Sequence, residues 1–307
     1  MHKQIILALV SGLIAFPLAV SGAGPATKAP VVANTQASAT LEVNTSEKAG
    51  ATVTDFTIDT GTRVYQLTSA ARPLVTPPVG PRFAYGMRKP NGNWFDGGMV
   101  DVSPQGRSMA DAEVKVQVLK TEGPLVAYDL LIDGQNGAAF AIRTVALAGR
   151  DELFLAVYTS PDVARFSVSF HGYPCGYGGQ KDRWVHVEGS DIQNEGDGKY
   201  IPVPLDLDKA PWILMTDHLL NEDGGKAGQL GLAFRKSTVE KAFVTHVSNY
   251  RITASFSSQP DTNLMEFILS NFDPMTWEEA RTTLAASARQ SDALLDQAFK
   301  QLPPPSF

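Results

Sequence analysis

The stretch RFSVSFH, residues 165–171, alternates polar and apolar side chains without a break. Phe166, Val168 and Phe170 share one side, and the residues between and beside them are arginine, serine and histidine. Successive side chains of an extended chain point to opposite faces, so a period of two predicts a strand with one buried face. The pattern recurs in YRITASFSS (250–258) and in AEVKVQV (112–118), where it predicts that the three valines, including Val118, face the core.

Similar segments follow one another through most of the chain. Turn sequences such as TEGP, DGQNG, AGRDE, NEDGG and SSQPD separate many of them, and no helical pattern intervenes before residue 273. A dozen or more strands at this spacing predict an all-β fold, a large antiparallel β-sandwich of supersandwich type that spans residues 50–272 as one domain. The chain shows no internal repeat, which disfavours a propeller or a solenoid.

The N-terminus has the pattern of a secretory signal peptide over residues 1–23. Lys3 precedes an apolar run from Ile5 to Val20 that contains Pro17, and small residues follow up to Ala23. The run is shorter than the roughly 20 residues of a membrane-spanning helix. We therefore predict an exported protein, periplasmic or extracellular, that has no membrane contact once the signal is cleaved. Residues 24–49 are rich in Ala, Thr, Pro and Ser and are predicted to form a flexible linker.

Composition excludes some partners. The formal charge is −6 and no cluster of basic residues offsets it, so nucleic acid is not an expected partner. The sequence matches no phosphate-binding, dinucleotide-binding or metal-ligand motif, and we expect no cofactor and no metal. Cys175 is the one cysteine, so no internal disulfide is possible.

The last segment, residues 273–307, changes to a helical pattern. Thr276 stands three residues before Glu279, the spacing of a capping box. Apolar residues then recur near a period of 3.6 until three prolines end the pattern. We predict one amphipathic helix that packs on the outside of the sandwich. The alternative use of its apolar stripe is a contact in a weak homodimer.

Three short segments resemble a known family. They are GYP (172–174) after a long alternating strand, PWILMTDH (211–218) and the glycine-spaced GQLGLAF (228–234). With the succession of long antiparallel strands, they are similar to the galactose mutarotase-like supersandwich. That resemblance implies a fold found in sugar epimerases and in domains of polysaccharide lyases and glycoside hydrolases, and it implies a carbohydrate partner, an oligo- or polysaccharide. No catalytic motif of the family can be matched residue by residue.

The loop FHGYPCGYGGQKDRW (170–184) carries the candidate site. If the strands on its two sides line one sheet, their polar faces bring together His171, Tyr173, Arg183, Trp184 and His186. Aromatic rings stack on the apolar face of a sugar, and guanidinium groups hydrogen-bond to carboxylates and hydroxyls. Cys175 has no flanking motif of a nucleophile, so we interpret it as structural. The alternative for the whole set is a solvated sheet face with loop aromatics.

This set permits two enzymatic hypotheses. For β-elimination on a uronic acid, His171 or His186 would be the base and Tyr173 or Tyr177 the acid. Arg183 or Arg165 would neutralise the carboxylate. Sugar epimerisation would instead pair a histidine with Glu188. Trp94, in a turn-rich loop, could add a glycan platform or pack under the loop.

Three function classes therefore stay open. The first is a carbohydrate-processing enzyme, an epimerase or polysaccharide lyase. The second is a non-catalytic glycan-recognition module. The third is a cell-envelope assembly protein that uses its C-terminal helix to contact a partner.

Overall fold

Nineteen antiparallel strands account for most of the residues that the structure, a computed structural model, describes. The described residues are 37–48, 50–71, 83–90, 93–94, 98–104, 112–134, 139–176, 182–193, 200–209, 211–219, 228–247 and 250–307. Residues Gln36–Phe307 cluster as one unit, and the other unit, Met1–Thr35, lies outside the described residues, as do the predicted signal peptide and most of the predicted linker.

The nine-stranded sheet is the larger layer of the fold. Its strands lie in the order β13-β12-β15-β16-β19-β10-β9-β8-β6. They are β6 (Ala112–Lys120), β8 (Leu125–Gly134), β9 (Ala139–Leu147), β10 (Glu152–Thr159), β12 (Arg183–Val187), β13 (Ser190–Gln193), β15 (Trp212–Asp217), β16 (Leu230–Phe234) and β19 (Leu264–Asn271).

The first five-stranded sheet has the order β4-β3-β2-β1-β7. Its strands are β1 (Ala39–Lys48), β2 (Ala51–Asp59), β3 (Val64–Ala71), β4 (Phe83–Lys89) and β7 (Glu122–Gly123). The second five-stranded sheet has the order β14-β17-β18-β11-β5. Its strands are β5 (Val100–Pro104), β11 (Phe166–Gly172), β14 (Val203–Pro204), β17 (Val239–Val247) and β18 (Arg251–Ser258).

Met99 links the two five-stranded sheets. Its backbone N–H donates to the carbonyl of Tyr85 in β4 at 2.8 Å, and its carbonyl accepts from the N–H of His171 in β11 at 2.9 Å. The two smaller sheets therefore form a second layer, and one apolar core lies between that layer and the nine-stranded sheet. Phe56 stacks on Tyr128 at a centroid distance of 4.0 Å on one half of this core, and Phe170 meets Phe267 at 4.8 Å on the other.

Two helices cover the opposite face of the nine-stranded sheet, α1 (Trp277–Ala288) and α2 (Ser291–Phe299). Leu284 and Leu295 are among the residues by which they pack against a second apolar cluster, which includes Leu214 and Ile268 of the sheet. A 3-10 helix, Lys236–Thr238, precedes β17. Among the described residues, no helix has the length and apolar character needed to cross a membrane.

The predicted fold class, an all-β antiparallel sandwich, is confirmed. Three details differ from the prediction. The predicted linker is too long, because β1 begins at Ala39 and pairs with β2 along its length. Val118 is 41% exposed although it keeps the register of Val114 and Val116, and it lies in the edge strand β6 where that register ends. The predicted single helix is two, since the backbone leaves helical geometry at Gln290.

Candidate functional site

The two strands that were predicted to line one sheet lie in different sheets. β11 pairs with β5 and β18 in the second five-stranded sheet, whereas β12 pairs with β13 and β15 in the nine-stranded sheet. The interpretation of one shared polar face is therefore wrong. Because each sheet buries one face in the common core, the polar faces of β11 and β12 point away from each other.

His171 lies on the outer face of the second five-stranded sheet. Its Nδ1 is 3.0 Å from the hydroxyl of Thr253 in the neighbouring strand. Burial, aided by the positive charge of Arg251, lowers the pKa of His171 to about 4. This histidine is therefore neutral at pH 7, and it faces away from His186.

Arg183 faces inward and is fully buried. Its Nε lies 3.3 Å from a carboxylate oxygen of Asp217, its partner across β15, and its Nη2 donates to the carbonyl of Gly176 at 2.7 Å. A guanidinium in this position ties the first residue of β12 to β15 and to the loop that contains Gly176. It cannot neutralise the carboxylate of an external sugar without leaving the core, which argues against the predicted role.

Tyr173 and Trp94 are also buried, with 2% and 0% of their surface exposed. The ring of Tyr173 packs edge-on against Tyr250 at a centroid distance of 4.9 Å. Trp94 bridges to Gly172 through its backbone. In this conformation neither ring offers a stacking face to a ligand, so Trp94 matches the alternative of packing under its loop.

Cys175 belongs to the same buried end of the sandwich. Its thiol donates to Oε1 of Gln229 at 3.4 Å, and its backbone has a positive φ of 59°. Burial, with the nearby negative charge of Asp217, raises the pKa of the thiol to about 11. Nucleophilic cysteines need a lowered pKa, so these surroundings agree with a structural cysteine.

The other predicted site residues are dispersed. Arg165 is exposed and pairs with Glu240 at 2.8 Å. Glu188 is exposed in the turn between β12 and β13. Tyr177 lies outside the described residues.

Trp184 and His186 do lie together, on the outer face of the nine-stranded sheet, and two further rings join them there. We name Trp184, His186, His218 and Trp277 the histidine–tryptophan cluster. His218 lies between the two indoles at centroid distances of 4.8 Å from Trp184 and 4.9 Å from Trp277. His186 is 4.4 Å from Trp277, and the interplanar angles of all these pairs are 16° or less. His186 is buried, and the other three rings are partly exposed.

A chain of hydrogen bonds runs through the cluster. His186 Nδ1 is 2.7 Å from Oδ1 of Asp191, and His186 Nε2 is 3.1 Å from both Thr216 Oγ1 and His218 Nε2. Arg281 of α1 reaches Asp191 at 3.4 Å. The arrangement thus joins two imidazoles to an exposed carboxylate.

Burial lowers the pKa of both imidazoles. For His186, the hydrogen bond with Asp191 opposes this effect. For His218, the opposing influence is the negative charge of four carboxylates, Asp182, Glu278, Asp217 and Asp191. A neutral imidazole can accept a proton on its free nitrogen, and a pair in contact can then pass that one added proton from ring to ring.

Local sequence explains how the cluster forms. Gly189, at a φ of 71°, lies in the turn from β12 to β13, and that turn places Asp191 directly opposite His186. On the helix side, Thr276 and Glu279 form the predicted capping box, which starts α1 at Trp277. Residues four apart share a helix face, so Arg281 follows Trp277 toward the sheet.

Sequence reasoning missed His218, Asp191, Trp277 and Arg281 as members of a site. His218 is two residues after Thr216, so in an extended segment both side chains would lie on the same face. The pairing of β12 with β15, however, joins segments separated by β13 and β14, and alternation alone does not show it. Trp277 belongs to the apolar stripe of the helix, and nothing in that stripe indicates which residue meets a histidine.

The described residues contain no group of three or more His, Cys, Asp or Glu side chains arranged to hold a metal ion.

No family model matches the chain, and no curated protein matches it. Solved structures do match its fold. The α-N-acetylgalactosaminidase NagBb from Bifidobacterium bifidum, in complex with GalNAc, has a TM-score of 0.50 and 10% identity, over 81% of this chain and 39% of that chain.

Two further structures match at lower TM-scores. The α-galactosidase AgaB from Geobacillus stearothermophilus gives 0.42 with 10% identity, over 76% of this chain and 41% of that one. Heparinase III gives 0.39 with 12% identity, over 75% of this chain and 36% of that one. This chain thus spans about two fifths of each protein, and at such identities the likeness is one of fold alone.

Proposed function

We propose that this protein is an exported carbohydrate-binding protein, and that its glycan site is the histidine–tryptophan cluster. The observation that carries the proposal is the set of parallel rings of Trp184, His218 and Trp277, all partly exposed at one margin of the nine-stranded sheet. Flat aromatic faces with polar groups at their edges are suited to sugars, whose rings have an apolar face and a rim of hydroxyls.

Two other observations support a carbohydrate ligand. The fold is similar to that of NagBb, whose structure contains GalNAc, although one fold can serve many functions. The rim of the cluster supplies hydrogen-bonding groups of the kind that hydroxyls use, the carboxylate of Asp191 and the guanidinium of Arg281.

The geometry favours glycan binding over cleavage of a polyuronide. The two imidazoles also allow proton transfer at the same place. Arg183, one predicted neutraliser of a uronic carboxylate, is buried on Asp217, and the other, Arg165, pairs with Glu240 elsewhere on the surface. Around His218 the fixed charges are mostly negative. The epimerase hypothesis keeps a histidine–carboxylate pair, with Asp191 in the place that Glu188 was predicted to take.

A glycan array with purified protein tests the proposal. The affinity for the retained glycan should fall about five- to thirtyfold in Trp184→Ala and in Trp277→Ala, because each removes a stacking face worth about 1–2 kcal/mol. Tyr200→Ala is the matched control, since Tyr200 is 63% exposed and lies outside the cluster. Circular dichroism and thermal melting establish that each variant is folded.

Two results would count against the proposal. One is the absence of binding to any glycan on the array. The other is a folded double variant, Trp184→Ala with Trp277→Ala, that binds the same glycan as tightly as the unmodified protein.

A further inference from the structure

Aromatic stacking does not explain the hydrogen-bond chain within the cluster, from Asp191 through His186 to His218. A carboxylate oxygen only accepts hydrogen bonds, so His186 carries its proton on Nδ1, 2.7 Å from Asp191 Oδ1. A neutral His186 then has a lone pair on Nε2. Two donors share that single lone pair, the hydroxyl of Thr216 and the Nε2–H of His218, each at 3.1 Å.

The same accounting fixes His218. The contact between the two Nε2 atoms needs one donor, and His186 Nε2 is the acceptor, so His218 carries its proton on Nε2. Its Nδ1 is left with a lone pair. His218 is also partly exposed, whereas His186 is 1% exposed, so His218 is the imidazole that a ligand can reach.

We propose that His218 is an acid–base residue of the glycan site, and that Asp191 and His186 are positioning residues that set its tautomer and hold a single exchangeable proton with it. This inference rests on the proposed function. In the step it describes, the O–H bond of a sugar hydroxyl breaks as an N–H bond forms at His218 Nδ1, and the reverse transfer returns the proton.

Burial disfavours protonation of either ring, the nearby carboxylates offset part of that cost for one added proton, and a second proton is opposed by the first. The first charge is shared toward Asp191, and two imidazolium groups with nitrogens 3.1 Å apart would repel each other. The charged groups around His218 come from every element near it: Asp182 before β12, Asp191 in β13, Asp217 in β15, and Glu278 and Arg281 in α1. They are mostly acidic, which supports uptake of the first proton.

Nitrogen NMR of the full chain, labelled with ¹⁵N at histidine, tests the inference. The chain has five histidines, so single substitutions assign the signals. We expect the Nδ1–H tautomer for His186, the Nε2–H tautomer for His218, and two well-separated protonation steps for the pair. In Asp191→Ala the proton affinity of the pair at its first step should fall about tenfold. Glu113→Gln, an exposed acid at the opposite edge of the same sheet, should change nothing.

The tautomers of the unmodified protein decide the question even if Asp191→Ala fails to fold. An Nε2–H tautomer at His186, or independent titration of the two rings, overturns the relay. Addition of the glycan retained on the array separates this inference from the proposed function. If that glycan shifts the His218 signals while the tautomers are wrong, glycan binding stands and the relay falls. If the tautomers are right but no glycan shifts His218, its assignment to a glycan site is overturned.

Discussion

Lowering the pH from 7 to 5 should destabilise the fold through its histidines, chiefly the half-buried His171 and the buried His246. His246 lies near the C-terminal end of β17 and is 7% exposed, and its Nε2 has no hydrogen-bond partner among the described residues. Burial, together with the charge of Arg183, lowers the pKa of His246 to about 4, and burial with the charge of Arg251 does the same for His171.

The size of the effect follows from the difference between folded and unfolded pKa values. An unfolded histidine titrates near 6.5. Between pH 6.5 and 4 the unfolded chain therefore binds protons that the folded chain does not, and stability falls as the pH falls. From pH 7 to 5 each histidine should cost about 2 kcal/mol, so the two should cost about 4 kcal/mol. His186 and His218, whose pKa values are also lowered, add to the loss.

Urea denaturation at pH 7 and at pH 5 measures this loss. We expect His171→Gln and His246→Gln each to reduce the difference between the two pH values by about 2 kcal/mol. Asp101 and Glu266, whose pKa values burial raises, act with the opposite sign. They are present in every variant, so the comparison between variants isolates the histidines. A double variant that keeps the full pH dependence of the unmodified protein would refute the reasoning.

Two further predictions concern packing and ligand charge. Gly228→Ala should cost about 3 kcal/mol in the free energy of unfolding, because a Cβ there would meet the backbone carbonyls of Phe272 and Asp273. Gly231→Ala should cost only about 1 kcal/mol, since its Cβ would lie 2.8 Å from a methyl of Leu284 that can move. Urea denaturation measures both losses, and equal losses would contradict this reasoning. In calorimetry at low salt, an oligogalacturonate should bind at least tenfold more weakly than a neutral oligosaccharide of the same length, because carboxylates surround His218, and the gap should narrow as salt is added. Tighter binding of the uronide would contradict the electrostatic argument.

Alternation predicted the strands well, because burial of one face fixes which residues may be apolar. The segments RFSVSFH and YRITASFSS became β11 and β18, with Phe170 and Phe256 in the core. The failures occur where a second constraint acts. Val118 is exposed although its position in the alternation is right, because it lies at the end of the regular pairing of an edge strand. The C-terminal helix divides at Gln290, where the apolar period continues but the backbone does not.

The candidate site was harder to predict, because alternation gives the face on which a side chain lies but not which strands are neighbours in the sheet. Alternation placed Trp184 and His186 together on a polar face, and both lie on the outer face of the nine-stranded sheet. Alternation within a strand does not show that β11 and β12 belong to different sheets. The prediction therefore placed His171 beside His186, although the apolar core lies between them.

The position of the histidine–tryptophan cluster follows from how the helices cover the sheet. α1 packs on β15 and β16, and α2 packs on β9, β16 and β19, so β12 and β13 lie at an edge beside the first turn of α1. Residues on the outer face of the central strands are buried beneath helices, and polar groups there would need internal partners. At the edge, rings can be half covered by Trp277 and still meet solvent. A ligand site on this face is therefore expected where the capping box begins the helix, and Trp184, His186 and His218 lie at that place.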